Sequence, residues 1–329
     1  MRKRKNKKQV RIIVGLSICL LLMMTVGYAA FSTNLTITAK GNIKDYNAAW
    51  QLKKKVVNSG DGLYVDSYED GRYIYKGTNP NNYIEFSGEV WRIIAIEADD
   101  NLKIIKNSPI GYYYFDNKDA RTEGYCNSET TLGNGCNCWA TNNNFISGNF
   151  SGIVNLDSTL KTQLNINYYE TLPQKAKEII VLNSFKYGPV DNKQNTTLKE
   201  TLAQEKAYTA KSYIGLLNVS DYVKANINNE CSTVYEFSLT GHSCVTSNIT
   251  DNWIHNLGYS WTWTMNAYSS SNNIIWFINA ASSAGVRDGI LDYGNYSGTS
   301  SNSVNPVVHL KSDIKLLGSG TETDPYTIK

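Results

Sequence analysis

Outside the N-terminal segment the residues with most chemical reach are five cysteines, Cys126, Cys136, Cys138, Cys231 and Cys244, and three histidines, His242, His255 and His309. Thiolates and imidazoles suit zinc or copper, so Cys126, Cys136, Cys138, His242 and Cys244 form one candidate ligand set. Their spacing argues against it. Structural zinc sites usually show two CxxC-like knuckles, and this chain offers a C-x-C and a distant H-x-C. Disulfides fit better. Cys231 and Cys244 close a short loop, which the chain-entropy account rates at about 3 kcal/mol. Cys136 and Cys138 stand too close to bond each other without strain, so one is expected to take Cys126 and the other to be left over. No metal and no cofactor are predicted. His242 reads as a loop residue, and His255 and His309, in apolar surroundings beside Trp253 and between Val308 and Leu310, read as packed or hydrogen-bonded.

Other reactive patterns are missing. There is no G-x-S-x-G elbow, and Gly133-Asn134-Gly135 lies in no strand-to-helix context. Asp99 and Asp100 are adjacent acids of the kind that build turns. No catalytic residue is assigned, and the chain is not expected to be an enzyme. Binding chemistry is better represented in the stretch from Arg287 to Ser303 (RDGILDYGNYSGTSSNS). Its Tyr, Ser, Gly and Asn residues give adaptable contacts at low entropic cost, and Asp288, Asp292, Tyr293 and Tyr296 are the candidate ligand-binding residues. The competing interpretation is a long β-connection.

These residues must be positioned by a chain of 329 residues, 41% hydrophobic and 19% charged, which excludes collagen, coiled coil and wholesale disorder. The formal net charge of +3 hides a division. Residues 1 to 31 carry seven basic residues and no acid, leaving 25 basic against 29 acidic, or −4, in the remainder. Without a cationic field that remainder is not expected to bind nucleic acid. The basic leader, residues 1–11, is followed by 19 uncharged residues, Ile12 to Ala30. As a helix they would span roughly 28 Å, close to the thickness of a bilayer's hydrocarbon core. Positive charge on the N-terminal side predicts a cytoplasmic leader, a transmembrane helix or uncleaved signal at 12–30, and export of everything beyond Phe31. Gly27-Tyr28-Ala29 offers a competing cleavage site before Ala30, which would release the chain as a secreted protein.

Residues 31–60 read as a stalk passing into a short helix near Asn47 to Val57, capped by Asp45 or Asn47. An extracellular domain at 61–329 follows. Tyr83 to Phe86, Val90 to Ile96 and Leu102 to Lys106 alternate with turns at Ser87-Gly88 and Asp99-Asp100-Asn101, a hairpin or meander signal. Residues 116 to 155 lack periodicity and read as a disulfide-pinned loop. Helical pattern covers Leu160 to Tyr169, a segment after Pro173, and Thr197 to Tyr213 in mixed form, and Ser220-Asp221 is placed to cap a short helix through Tyr222 to Ala225. Strands return at Trp261 to Thr264, Ile274 to Asn279 and Val304 to Leu310. Strands at both ends with helices between them predict one α+β domain whose terminal strands meet.

Several blocks carry a resemblance: YxxxxPxNYIEFxGEVWRII (Tyr75 to Ile94), EKAYTAKSYIGLLNVSDY (Glu205 to Tyr222), Asn252-Trp253 after a cysteine pair, WTWTMNAY (Trp261 to Tyr268), NPVVHLKSDI (Asn305 to Ile314) and the ending GSGTETDPYTIK. Together they resemble uncharacterised, often paralogous secreted domains of low-GC Gram-positive bacteria, over nearly the whole exported chain. Their order is distantly similar to formylglycine-generating-enzyme and C-type-lectin-like folds, with Gly215 to Tyr222, Trp261 to Tyr268 and Val304 to Leu310 as counterparts. The resemblance implies a single C-type-lectin-like mixed domain. It departs from those families where chemistry is concerned. Proline is missing from the first block, Asn305 stands where the closing strand usually carries Arg, and the cysteines lie outside the block that would hold copper. The histidines are scattered, and Asn305-Pro306 lacks the acid of a lectin calcium site. Gly27 to Ile43 also resembles the processed N-terminal region of biofilm-matrix fibre proteins of bacilli. No LPxTG-like signal or lipobox cysteine is seen, so attachment is expected through residues 12–30. The expected protein is a membrane-tethered binding or adhesion module for a glycan or surface protein, with a secreted matrix or fibre component as the alternative.

Overall fold

A computed structural model describes residues 11, 12, 14–21, 46–117, 137–140, 157–257, 261–270, 274–279, 291–296 (backbone alone) and 300–329. The chain divides into Met1–Asp45 and a compact unit, Tyr46–Lys329. In the first unit residues 11, 12 and 14–21 are helical; the rest of the segment expected to cross a membrane lies outside the described residues. Among the described residues no helix is long and apolar enough to cross a membrane.

The compact unit opens with helix α1 (Ala48–Lys53), where the Trp50 N–H donates to Asn47 Oδ1 at 2.9 Å, so Asn47 is the cap. Ala48, Ala49 and Leu52 are fully buried, and the helix assigned to the stalk by sequence is therefore part of the core. Next come β1 (Gly62–Val65), β2 (Tyr73–Lys76), β3 (Tyr83–Phe86), β4 (Glu89–Ile96), β5 (Leu102–Lys106) and β6 (Tyr112–Tyr114). The β3–β4 hairpin turns through Ser87 and Gly88, both at positive φ, and the β4–β5 turn places Asp100 at φ 66°. Two-residue turns of that hand match the twist of the flanking strands. As expected, Asp99 and Asp100 are turn residues.

The middle of the chain is helical: α2 (Thr159–Thr162), a π-helical turn at Gln163–Tyr168, α3 (Tyr169–Thr171), α4 (Gln174–Ile179), α5 (Leu198–Lys206), α6 (Val219–Ala225) and α7 (Val234–Ser238), with β7 (Asn183–Lys186), β8 (Thr209–Ser212) and β9 (Ile214–Gly215) between them. Helix α6 starts earlier than the sequence suggested. Asn218 is its cap residue, because the Ser220 and Asp221 side chains are engaged by Glu205 and by Arg72 and Lys103. The last third holds β10 (Thr262–Ala267), β11 (Ile274–Ile278), β12 (Leu291–Tyr296), β13 (Ser301–Ser303), β14 (Val307–Leu310), β15 (Leu316–Leu317) and β16 (Tyr326–Ile328).

The main sheet runs β15-β16-β3-β4-β5-β14-β9, with the β1–β2 hairpin joined to it through β2 and β4. The ends of the unit meet as expected: β16 lies parallel to β3, and β14 lies antiparallel to β5 with Val308 opposite Ile104. A second sheet has the order β12-β11-β10-β13-β6. Trp91, Trp139, Trp253, Trp263 and Trp276 fill the core, each at most 1% exposed. The sequence block around Pro80 and Trp91 has a local reason to exist. Among the described residues no carboxylate lies within 4 Å of buried Arg92, which donates instead to Asn82 Oδ1, Asn79 Oδ1 and the Pro80 carbonyl, with Tyr83 and Trp253 rings 3.6 and 4.9 Å away. Burial brings its guanidinium down to about 10. The architecture is thus a mixed α+β unit with several sheets and short helices.

Candidate functional site

Seven elements deliver charged side chains to one place. The β1–β2 turn supplies Asp66, Glu69 and Arg72; the end of β4 supplies Glu97; β5 supplies Lys103; α6 supplies Asp221 and Lys224, spaced by three so that both lie on one helix face. Strand β7 and helix α5 add Lys186, Glu205 and Lys206, and β14 adds His309 directly opposite Lys103.

Arg72, 3% exposed, sits at the centre. Its Nη1 lies 2.8 Å from Asp66 Oδ2, its Nη2 2.6 Å from Asp221 Oδ1 and its Nε 3.1 Å from Glu97 Oε2. The other Asp221 oxygen takes Lys103 Nζ at 2.6 Å. Lys224 Nζ bridges Asp66 Oδ2 and Glu69 Oε2, both at 2.8 Å. Burial alone would raise the Asp221 carboxyl, but Lys103, Arg72 and Lys224 overcome it and bring it down to about 2. Glu97 and Glu69 are likewise held well below the usual carboxylate range, against burial, by Arg72 and their neighbouring cations. A buried charge costs several kcal/mol of lost hydration unless it is paired and hydrogen-bonded, and this cluster meets that condition by sharing carboxylates among cations.

The cluster floors an open cleft with two adjoining parts. The inner part, about 320 Å³, is lined by Glu97, Lys103, Phe185, Asn218, Asp221 and His309 among others. The outer part, about 620 Å³, is lined by Tyr68, Glu69, Asp70, Lys186, Lys199 and Lys206 among others. Glu69, Arg72, Glu97, Ala98 and Lys186 border both.

The titratable groups around the cleft are engaged with one another. Burial leaves the Glu205 carboxyl above its usual value, yet its oxygens accept the Ser220 N–H at 2.9 Å and the Ser220 hydroxyl at 2.6 Å. That is helix capping by a neighbouring helix, and the hydroxyl is buried with its base. Lys103 and Asn218 are types that can condense to an amide with loss of ammonia when a protonated carboxyl beside them passes the protons on, and Lys103 Nζ lies 3.1 Å from Asn218 Oδ1. Lys103, Arg72 and Lys224 keep Asp221 ionised, however, so the adjacent carboxyl holds no proton to pass on. His309 packs edge-on to Phe185, with centroids 5.0 Å apart, and its Nε2 is 3.8 Å from Glu97 Oε1; burial pushes its imidazole down. His255 is buried and brought down to about 4, and His242 accepts a loop N–H from Cys244. Among the described residues no group of three His, Cys, Asp or Glu side chains could hold a metal ion.

The sequence-assigned residues lie elsewhere. Cys231 and Cys244 form the expected disulfide, with Cα atoms 5.5 Å apart. Cys138 is buried; Cys126 and Cys136 lie outside the described residues. Asp292, Tyr293 and Tyr296 lie on β12, an outer strand of the second sheet among the described residues, where Asp292 is opposite Phe277 and Tyr296 opposite Ile274. Asp288 lies outside the described residues. The charged cleft escaped sequence reading, although a signal existed: single charges inside apolar runs, Lys103 in LKIIK, Asp221 and Lys224 in VSDYVKA, and His309 in VVHL. A charge in a buried run must be paired, and pairing partners are fixed only in three dimensions.

No family model, curated protein or solved structure matches this chain.

Proposed function

We propose that this chain is an exported, membrane-tethered surface protein whose Tyr46–Lys329 unit binds a polar ligand, a glycan or a surface protein, in the charged cleft. The observation that carries this reading is the cleft itself: open space lined by donors and acceptors of both signs, with no nucleophile assembled among the described residues. A hydroxyl-rich ligand needs such alternating partners, and an aromatic side chain at the rim, here Tyr68 at 42% exposure, gives the apolar face of a sugar a surface. The basic leader and the uncharged stretch behind it support the tether. We read the terminal strands that meet in the main sheet as those of a C-type-lectin-like arrangement.

The test is a screen of the full-length chain, purified in mild detergent, against an array of oligosaccharides and surface proteins, with Lys186→Ala and Asn218→Ala as cleft variants. Saturable binding weakened by both variants is expected. Saturable binding indifferent to them would place the ligand elsewhere, and absence of any binding by the folded chain would defeat the reading.

One observation favours the fibre alternative. Strand β6 lies at the other edge of the second sheet among the described residues, with Tyr112 and Tyr114 exposed at 66% and 44%. An unpaired edge of this kind is where a second chain adds a strand. Concentration-dependent sedimentation into polymers, blocked by Tyr113→Pro, would support it; a monomer at high concentration would remove it.

A further inference from the structure

Glu69 is surrounded by more positive charge than it can neutralise. Within 4 Å of its two oxygens lie Arg72, Lys186, Lys206 and Lys224. Arg72 and Lys224 have other acids: Asp66 serves both, and Asp221 and Glu97 serve Arg72. Lys186 and Lys206 have no second acid within 4 Å among the described residues. Both approach the same atom, Glu69 Oε1, at 2.7 and 2.9 Å. Their nitrogens can therefore be no farther apart than the sum of those distances, 5.6 Å. They face the outer cleft, with side chains 30% and 48% exposed, and exposed Lys199 lines the same space. Two ammonium groups at this separation present donors to the two oxygens of one anionic group, which would supply the charge that Glu69 alone does not. Tyr68 lines the same cavity, and its backbone N–H is pinned by Asp66 Oδ1 at 3.0 Å.

We propose that the outer cleft recognises an acidic saccharide, its carboxylate or phosphate seated between Lys186 and Lys206 and its ring on Tyr68. This inference rests on the binding role proposed above and narrows its ligand. Acidic residues nearby, Asp70 and Glu97, are compatible with one such group and oppose a polyanion, so recognition is of a single charge in a hydroxyl-rich frame.

The test is isothermal titration of the full-length chain in mild detergent with three probes: a uronic-acid oligosaccharide, the same oligosaccharide with its carboxylates reduced to alcohols, and a phosphate-bearing oligosaccharide. The acidic probes are expected to bind at least about tenfold more tightly than the neutral one, a charge-assisted contact being of that size. Affinity should fall as salt rises. Lys206→Glu should abolish the preference, and Tyr68→Ala should weaken all three probes. Lys206→Ala leaves Glu69 with three cations and is the folding-safe control, expected to retain the unfolding midpoint while losing most of the preference. Preference for the uronate assigns a carboxylate ligand, and preference for the phosphate-bearing probe assigns a phosphate. Equal binding of acidic and neutral probes, indifferent to Lys206→Glu, overturns the inference while leaving a saccharide-binding cleft. No binding of any probe overturns it and removes saccharides from the broader reading, whose protein arm is read separately on the array.

Discussion

Asp221 links two cations from different parts of the chain, Arg72 in the β1–β2 turn and Lys103 on β5, through separate oxygens at 2.6 Å each. Removing it would leave both buried cations short of a partner, a situation that typically costs 3–5 kcal/mol, so Asp221→Ala is expected to destabilise by about that amount in urea unfolding. A loss below about 1 kcal/mol would mean that Asp66 and Glu97 take over the pairing. Titration offers a second handle. His255 is held neutral by burial, at about 4 in place of 6.5. The unfolded chain takes up its proton first, so stability is expected to fall as pH drops from about 6.5 towards 4, by on the order of 3 kcal/mol. His255→Phe should lessen the fall over that interval in a pH series of melting temperatures. Asp221 has the opposite kind of shift, downward to about 2, and its contribution persists above about 4 and is lost as pH falls from there towards 2. Acid unfolding should therefore proceed in two intervals, the first reduced by His255→Phe, with buried His309 supplying the remainder, and the second unchanged by that variant.

At the scale of elements, the walls of the cleft depend on a close approach between the segment after β7 and the end of α5. Gly188 N donates to the Glu205 carbonyl at 3.0 Å, and a Cβ at Gly188 would fall 1.9 Å from the Gln204 carbonyl oxygen. Gly188→Ala must shift the backbone at Gly188 or at Gln204–Glu205 and is expected to destabilise by about 1–3 kcal/mol, the usual cost of overpacking. The same variant should weaken ligand binding beyond what its stability loss explains. Helix α7 depends on a different constraint. It lies inside the loop closed by Cys231–Cys244, with a capping box of Thr233 and Glu236 at its start. A five-residue helix does not hold itself together, and the crosslink limits the unfolded alternatives. Reduction under native conditions is expected to lower stability by about 3 kcal/mol, read as a drop in melting temperature that Cys231→Ala reproduces without reductant.

For the whole molecule, the proposed placement makes a prediction about which parts are reachable. Protease added to intact cells should digest Tyr46–Lys329 while an epitope in residues 1–11 stays protected and membrane-bound. Recovery of a product beginning near Ala30 in the medium would instead support release and the matrix alternative. Digestion of neither part in intact cells would contradict export.

Much of the fold was legible in the sequence because its signals are local. Ser87-Gly88 and Asp99-Asp100-Asn101 are turn chemistry, and Asn47 is a cap. Apolar runs alternating with turns mark β3 to β5, and Cys231 with Cys244 marks a short crosslinked loop. Each follows from what neighbouring residues can do to one another. The start of α6 was misplaced because Ser220 and Asp221, read locally as caps, are spent on Glu205, Arg72 and Lys103 from distant segments. The candidate site was hidden for the same reason. By itself the sequence determined the turns, strands, charge division and likeliest crosslink. Only the tertiary structure decided that Asp66, Glu69, Arg72, Glu97, Lys103 and Asp221 are one ionic cluster flooring a cleft. Buried charges choose partners by distance in space, and that distance is set by strand register and helix docking.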